Sequence, residues 1–268
     1  MTSFKLCDTK LPTIQIKKSD KGDAYQYIKS GDEGVVYKYD ESTAMKFFLD
    51  FDSDIRRLKL EKVEILAQLD EEQATFPLGF VGYESGFKEG YFMRRIEPYD
   101  KYEPRISVIR KRFSLKEVSR ILVDGDLALQ RLHAKGFIHG DIREGNILLN
   151  SKKRAVFIDT DSGKYGDYDF SFVSYVAQSF FKTYHTRLNP LDNDKYMYAL
   201  MVMRIIMSGL DFESNRPPEF YKYVIERLNV SKEIKKELLY IFSPKKDKPY
   251  IGPILEEINP NGKLLSLK

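Results

Sequence analysis

The feature that most constrains this chain is the run His139-Gly140-Asp141-Ile142-Arg143-Glu144-Gly145-Asn146, followed thirteen residues after Asn146 by Asp159. Two carboxylates and an amide at this spacing ask for a loop that brings Asp141 and Asn146 to a common point, and for a second element that delivers Asp159 beside them. Phosphoryl transfer makes that demand. It needs a positioned acceptor hydroxyl, Mg²⁺ on the phosphates and donors for spreading negative charge, with little covalent help from protein. Asp141 is then expected to accept the hydroxyl proton. Asn146 and Asp159 are expected as oxygen ligands of Mg²⁺, an ion that takes few protein groups and completes its shell with phosphates and waters.

The flanking sequence supports such a loop. Asn146–Leu149 and Ala155–Ile158 are short apolar runs around the turn Asn150–Lys153, which predicts a hairpin with Asp159 at its end. Upstream, Val118, Ile121, Leu122, Leu129 and Leu132 recur at helical spacing between Ser114 and Lys135; Ser114 or Ser119 can start this helix and Gly136 ends it. Tyr25 to Phe48 reads as a three-strand meander with Gly31 and Gly34 in its first turn, where glycines let backbone N–H groups come close to phosphate. A helix is expected over Asp52–Leu69, and short strands over Phe76–Gly86 and Gly90–Met93. Further helices are expected at Tyr196–Ile206, preceded by Asp192 or Asp194, and at about 218–229, 231–242 and 251–258.

Assembled, these motifs resemble the protein kinase family. HGDIREGN matches the catalytic-loop pattern H-R-D-L-x-x-x-N apart from Gly140. Gly31, Gly34 and Val36 match G-x-G-x-x-G-x-V, with Lys29 where the first glycine belongs, and Ala44-Met45-Lys46 is similar to V-A-I-K. Leu132 to His139 resembles L-H-x-x-G-x-x-H, and both its histidines, His133 and His139, are read as structural.

The resemblance implies an α+β, two-lobed protein-kinase-like fold. Residues 1–96 would form a small antiparallel β-sheet lobe with one helix, and 97–268 a mainly α-helical lobe. It implies ATP and Mg²⁺ as cofactors, with Gly31, Gly34, Val36 and Ala44 around the nucleotide and Lys46 on its phosphates. The helical glutamate that pairs with this lysine would be Glu61 ahead of Glu64, although aligning the apolar positions puts Lys62 at the site. Met93 would back the adenine pocket, and the backbone near Arg94 and Ile96 would bond the adenine edge. Arg143 stands where serine/threonine members carry lysine, so it would bring positive charge to the γ-phosphate.

Departures from the pattern agree with one another. Asp159-Thr160-Asp161 replaces D-F-G, no A-P-E closes the segment Ser162–Asn189, and Lys248 stands where the arginine of D-P-x-x-R-P belongs. In the family that arginine pairs with the A-P-E glutamate; losing one partner strands a buried charge, whereas losing both is tolerable. With Gly140 in place of the loop arginine, phosphorylation within 162–189 is not expected to be the on-switch.

Composition narrows the field. A net charge of +4 from 44 basic and 40 acidic residues, without a long basic block, argues against nucleic-acid binding. The single cysteine, Cys7, excludes an intramolecular disulfide or a cysteine-cluster zinc site. The apolar run Met197–Ile206 is interrupted by Arg204 and falls short of the roughly 20 residues that span a membrane. Lys5, Asp8 and Lys10 without an apolar run behind them do not suggest a signal peptide. The expectation is a soluble, cytoplasmic, ATP-dependent kinase with no membrane partner. Its leading acceptor is a serine or threonine hydroxyl of a protein. A small-molecule hydroxyl is the alternative, because His-Gly-Asp also occurs in antibiotic and sugar kinases, and a nucleotide-binding pseudokinase or scaffold is the third reading.

Overall fold

The computed structural model describes residues 11–17, 25–31, 33–49, 53–100, 105–168, 189–207, 218–243 and 245–258. They fall into two compact units, one reaching to Asp70 and resuming over Thr75–Arg95, the other made of Glu71–Ala74 and the chain from Ile96. The division is therefore interrupted in sequence, unlike the contiguous 1–96 and 97–268.

The first unit is built on a six-stranded sheet. Its strands are β1 (Thr13–Ile16), β2 (Gln26–Ser30), β3 (Gly34–Lys38), β4 (Thr43–Phe48), β5 (Pro77–Tyr83) and β6 (Lys88–Arg94), in the spatial order β1-β5-β6-β4-β3-β2. β2, β3 and β4 form the expected meander, and β6 pairs antiparallel with both β4 and β5. β1 adds one parallel pairing to this otherwise antiparallel sheet, running alongside β5 with Thr13 opposite Phe80. The long stretch between the two strands supplies the crossover that parallel pairing needs.

Alternation along β4 sorts its side chains. Met45 and Phe47 join Ile16 and Val81 on one face. Phe48 turns to the other face, where it packs with Phe80, Tyr91 and Val63 of helix α1 (Ser53–Leu66). Lys46, two residues before Phe48, shares that helix-facing side.

In the second unit a short 3₁₀ turn (Ile106–Val108) and α2 (Ile109–Arg112) lead into α3 (Leu115–Ala134). Ser114, and not Ser119, starts α3: its Oγ accepts from Glu117 N at 3.3 Å while Glu117 Oε2 accepts from Ser114 N at 3.0 Å, a reciprocal cap. Gly136, at φ +81°, turns the chain out of the helix as only glycine does without strain. There follow β7 (Phe137–Ile138), β8 (Ile147–Leu149), β9 (Ala155–Phe157), β10 (Lys164–Tyr165), α4 (Pro190–Ile206), α5 (Pro218–Arg227), α6 (Lys232–Ile241) and α7 (Gly252–Ile258). β8 and β9 form the expected hairpin, and β7 pairs with β10. Most of the segment 162–189 lies outside the described residues.

α4 begins earlier than the sequence suggests. Asn189 caps it by accepting from Asp192 N at 2.8 Å, and Pro190 occupies the first turn, where its missing N–H costs nothing. Asp192 and Asp194 thus lie inside the helix, both buried. α4 crosses α3 at Gly125, where a Cβ would come within 2.3 Å of Tyr198 Oη; that hydroxyl donates to Leu122 O at 2.7 Å. The segment Glu71–Ala74 is tied into this unit through Gln73, whose Nε2 donates to Asp124 Oδ2 at 2.7 Å and to Ala155 O at 2.9 Å, and whose carbonyl accepts from Phe157 N at 2.8 Å. Among the described residues no helix is long and apolar enough to cross a membrane.

Candidate active site

The loop 139–146 is held from beneath by Asp194. Its Oδ2 accepts from His139 N at 2.7 Å and its Oδ1 from Gly140 N at 2.8 Å, so one buried carboxylate fixes two consecutive amides. Gly140 sits at φ +78°, a conformation that glycine takes at no steric cost. His133 bonds the same carboxylate through Nε2 at 3.1 Å, which leaves its Nδ1 to accept from Tyr250 Oη at 2.7 Å. Burial, with the nearby Asp126, Asp194 and Asp192 carboxylates, pushes the Tyr250 phenol up to about 12, so it remains a donor. His139 uses Nε2 to donate to Ile158 O at 2.9 Å and Nδ1 to accept from Asp141 N at 3.3 Å. Both histidines are therefore committed to bonds that shape the loop.

Asp141 and Asn146 meet as their spacing suggested. Asn146 is fully buried, and its Nδ2 donates to Asp141 Oδ2 at 2.7 Å and to Asp141 O at 3.0 Å. These two bonds fix the amide's orientation. Its Oδ1 is left buried with no hydrogen-bond partner among the described residues. A buried acceptor without a donor is costly unless something completes it. Arg143, largely exposed, places Nε 3.0 Å from Asp141 Oδ2.

β8 and β9 bring Asp159 to the same end of the unit. Ile158 N donates to Asn146 O at 2.9 Å, so Asp159 lies one residue beyond a direct bond to the loop. Asp159 holds φ +63° and ψ +38°, a left-handed conformation uncommon for a residue other than glycine and typical of functional positions. A short 3₁₀ turn, Thr160–Ser162, follows it, with Thr160, Asp161 and Ser162 all buried. Among the described residues no group of three or more His, Cys, Asp or Glu side chains is placed to hold a metal. Asn146 Oδ1 and the Asp159 carboxylate instead offer the sparse oxygen donor set that suits an ion already carrying phosphate oxygens.

In the first unit Lys46 is only 4 % exposed, paired across the sheet with Val36 on β3 and Tyr91 on β6. Gly34 adjoins it: a Cβ there would meet Phe47 O at 2.5 Å and the Lys46 side chain at 3.2 Å, whereas one on Gly31 would meet nothing. Ala44 is buried opposite Met93, and Met93 packs against the cluster of Phe48, Val63, Phe80 and Tyr91. Arg94 ends β6, and Ile96 opens the second unit. The expected partner of Lys46 is corrected here. Glu61 accepts from Arg57 at 2.9 Å on the exposed side of α1, and Glu64 pairs with Lys88 at 3.3 Å. The face that α1 turns inward carries Lys62, 5 % exposed, at the position the apolar alignment had indicated.

Lys248 accounts for one departure. It is buried, and its Nζ donates to Ile241 O at 2.7 Å and Ser243 O at 2.6 Å, where α6 ends. Carbonyls at a helix C-terminus carry partial negative charge and take the place of a carboxylate partner. Its own N–H and that of Asp247 donate to Asp192 at 2.8 Å and 2.7 Å. Asp192 and Asp194 are the functional residues that sequence reasoning missed. A signal was present, since carboxylates at the head of an apolar helix must find donors if they are buried.

An α+β architecture with a strand-rich unit holding a buried strand lysine, and a helical unit presenting an Asp–Asn loop beside an aspartate-ended hairpin, agrees with the expected kinase-like fold class. Over residues 96–193 the chain is similar to the ABC1 atypical kinase-like domain. The matched stretch is less than half of the chain; it contains Asp141, Arg143, Asn146 and Asp159 and leaves the sheet of the first unit outside. No curated protein matches the chain.

Proposed function

We infer that the protein is an ATP- and Mg²⁺-dependent phosphotransferase in which Asp141 accepts the proton of an acceptor hydroxyl, most simply a serine or threonine of a protein substrate. The observation that carries this reading is Asn146: its amide nitrogen is spent on Asp141, and its buried Oδ1 has no partner among the described residues. One asparagine thereby orients the base and presents an oxygen to a cation. Asn146 and Asp159 would hold Mg²⁺, which would supply charge neutralisation on the phosphates. Arg143 is free to leave its exposed pair with Asp141 for a phosphate oxygen, because such pairs are weak. Lys46 would hold the α- and β-phosphates, as the likeness to kinase motifs implies.

A small-molecule hydroxyl is the second acceptor class. It is favoured by Lys248, whose bonds to the end of α6 make an anchoring glutamate in the segment 162–189 unnecessary. The deciding experiment incubates the protein with Mg²⁺ and γ-labelled ATP in a fractionated lysate. Label is followed into protein and into small molecules, beside Asp141→Asn. Label in protein hydroxyls that disappears with the variant supports the first reading; label confined to small molecules supports the second. Transfer unaffected by Asp141→Asn would overturn the mechanism in both.

A further inference from the structure

We propose that Lys59 is a polyphosphate-binding residue of the first unit, and that Glu33 is a built-in competitor which occupies it until ligand arrives. The proposal rests on the nucleotide-binding reading above and extends it to two residues to which the kinase-like motifs assign no role.

The geometry starts from β4. Its alternation puts Lys46 and Phe48 on the side facing α1, and the stem of Lys46 lies against Gly34, where a Cβ would stand 3.2 Å from both Cγ and Cε. Glu33 immediately precedes Gly34 in the glycine turn, and its carbonyl accepts from Leu49 N at 3.2 Å, which fixes the turn over the end of β4. From α1, Lys59 reaches the same place. Its Nζ lies 3.0 Å from Glu33 Oε1 and 5.6 Å from the centroid of the Phe48 ring, with side-chain exposures of 10 % for Lys59 and 16 % for Glu33. The pair is therefore mostly withdrawn from water. The stem of Lys46 and the ammonium of Lys59 thus both adjoin the Glu33–Gly34 turn.

A carboxylate is the wrong charge for a turn that is to lie over phosphates. At this degree of burial like charges a few ångströms apart repel strongly, and an opposite charge is attracted to the same extent. α1 shows the same inversion along its inward face. Arg56, Lys59 and Lys62 follow one another at three-residue spacing there, with Arg56 3.9 Å from Glu89 of β6, while Glu61 pairs with Arg57 on the exposed side and Glu64 with Lys88 at the start of β6. The helix that supplies an acidic partner in the kinase pattern thus supplies bases in this chain. A lysine ammonium is a compact charge on a flexible stem, able to exchange a carboxylate for a phosphate oxygen without moving the helix. Glu33 and a polyphosphate would then be alternative partners of Lys59, and removing Glu33 favours the polyphosphate.

A simple clasp, in which the pair merely holds the turn in place, predicts the opposite sign for Glu33. The test measures binding of inorganic tripolyphosphate and of Mg·ATP to the full chain by calorimetry, for wild type, Glu33→Gln, Lys59→Arg and Lys59→Met. Competition predicts that Glu33→Gln tightens tripolyphosphate binding roughly tenfold and Lys59→Met weakens it by a similar factor, with Lys59→Arg within about threefold of wild type. If Lys59→Met does not fold, Glu33→Gln and Lys59→Arg still decide. Unchanged or weaker binding in Glu33→Gln overturns the proposal, as does absence of binding of both probes in every variant. Tripolyphosphate binding that responds as stated, without phosphate transfer to any acceptor, upholds this proposal and removes the phosphotransferase reading alone.

Discussion

The two units handle their polar groups differently. In the larger one, the loop is determined by buried, directional bonds: Asp194 holds two amides and His133, His139 uses both ring nitrogens, and Asn146 is aimed by Asp141. In the smaller one, charges meet in ion pairs across elements, Lys59 with Glu33, Arg56 with Glu89, and Lys88 with Glu64. Buried networks select one geometry, because any member left unsatisfied is costly; a lysine in an ion pair is a compact charge on a flexible stem and can exchange one anionic oxygen for another. The difference teaches that, on the proposed reading, proton abstraction and metal binding would fall to the rigid half and phosphate recognition to the half able to adapt.

Substitutions on the rigid side should therefore have the largest effects. Asp141→Asn keeps an acceptor for Asn146 but no base, so turnover should fall roughly 10²- to 10⁴-fold while stability stays within about 1 kcal/mol. Steady-state kinetics beside a denaturant titration checks it, and equal losses in both would move Asp141 from chemistry to structure. Asp194→Ala leaves two buried amides and His133 Nε2 without their acceptor, so unfolding free energy should drop by about 3–5 kcal/mol. A loss below about 1 kcal/mol would mean that the network is not what fixes the loop.

What could be read in the sequence follows the same division. α3 was legible because Ser114 and Glu117 form a local cap, and the β8–β9 hairpin because its apolar runs flank a polar turn. The Asp141–Asn146 contact was legible because five residues of loop settle it. Asp194 acts across more than fifty residues of chain, and no local pattern reports such a contact. α1 misled for another reason. Ile55 and Leu58 look like its buried stripe, yet they are 43 % and 50 % exposed, while Arg56, Lys59 and Lys62 bury their long stems. A stripe counted from Ile55 and Leu58 is therefore rotated from the true inward face; Glu61 is the expectation only because the kinase pattern asks for a glutamate, whereas the apolar positions further along the helix point to Lys62. The parallel pairing of β1 with β5 is likewise a long-range choice.

Lys248 tests whether the rigid unit tolerates a buried cation without a carboxylate directly on it. Burial lowers its pKa from 10.5 to about 8, against an opposing pull from Asp192. The folded state thus binds fewer protons than the unfolded chain between these values, so stability must rise with pH across the window from about 8 to 10.5. A neutral amine still has two N–H donors for its two carbonyls, so deprotonation keeps both bonds. The gain should be up to about 3 kcal/mol. It is read as the unfolding free energy of wild type minus that of Lys248→Met, a difference in which the other titrating groups cancel. A difference that stays flat from pH 7 to 10 would show that the carbonyls and Asp192 keep the lysine charged throughout.

The smallest effect is expected where the kinase likeness alone would place a large one. Glu61 is bonded to Arg57, one turn earlier on an exposed helix face, with the base on the N-terminal side of the acid. That order is the less favourable one for the helix dipole, and exposed pairs of this spacing contribute a few tenths of a kcal/mol at most. Glu61→Gln should leave stability within about 0.5 kcal/mol and turnover within about twofold, since neither the fold nor Lys46 draws on its charge. A fall in turnover beyond about tenfold at unchanged stability would instead mean that α1 rotates by nearly a third of a turn in the working protein, exchanging Lys62 for Glu61 on its inward face. The arrangement seen here would then be a resting state, and the adaptable unit would owe its adaptability to that rotation as well as to the exchange of ion pairs.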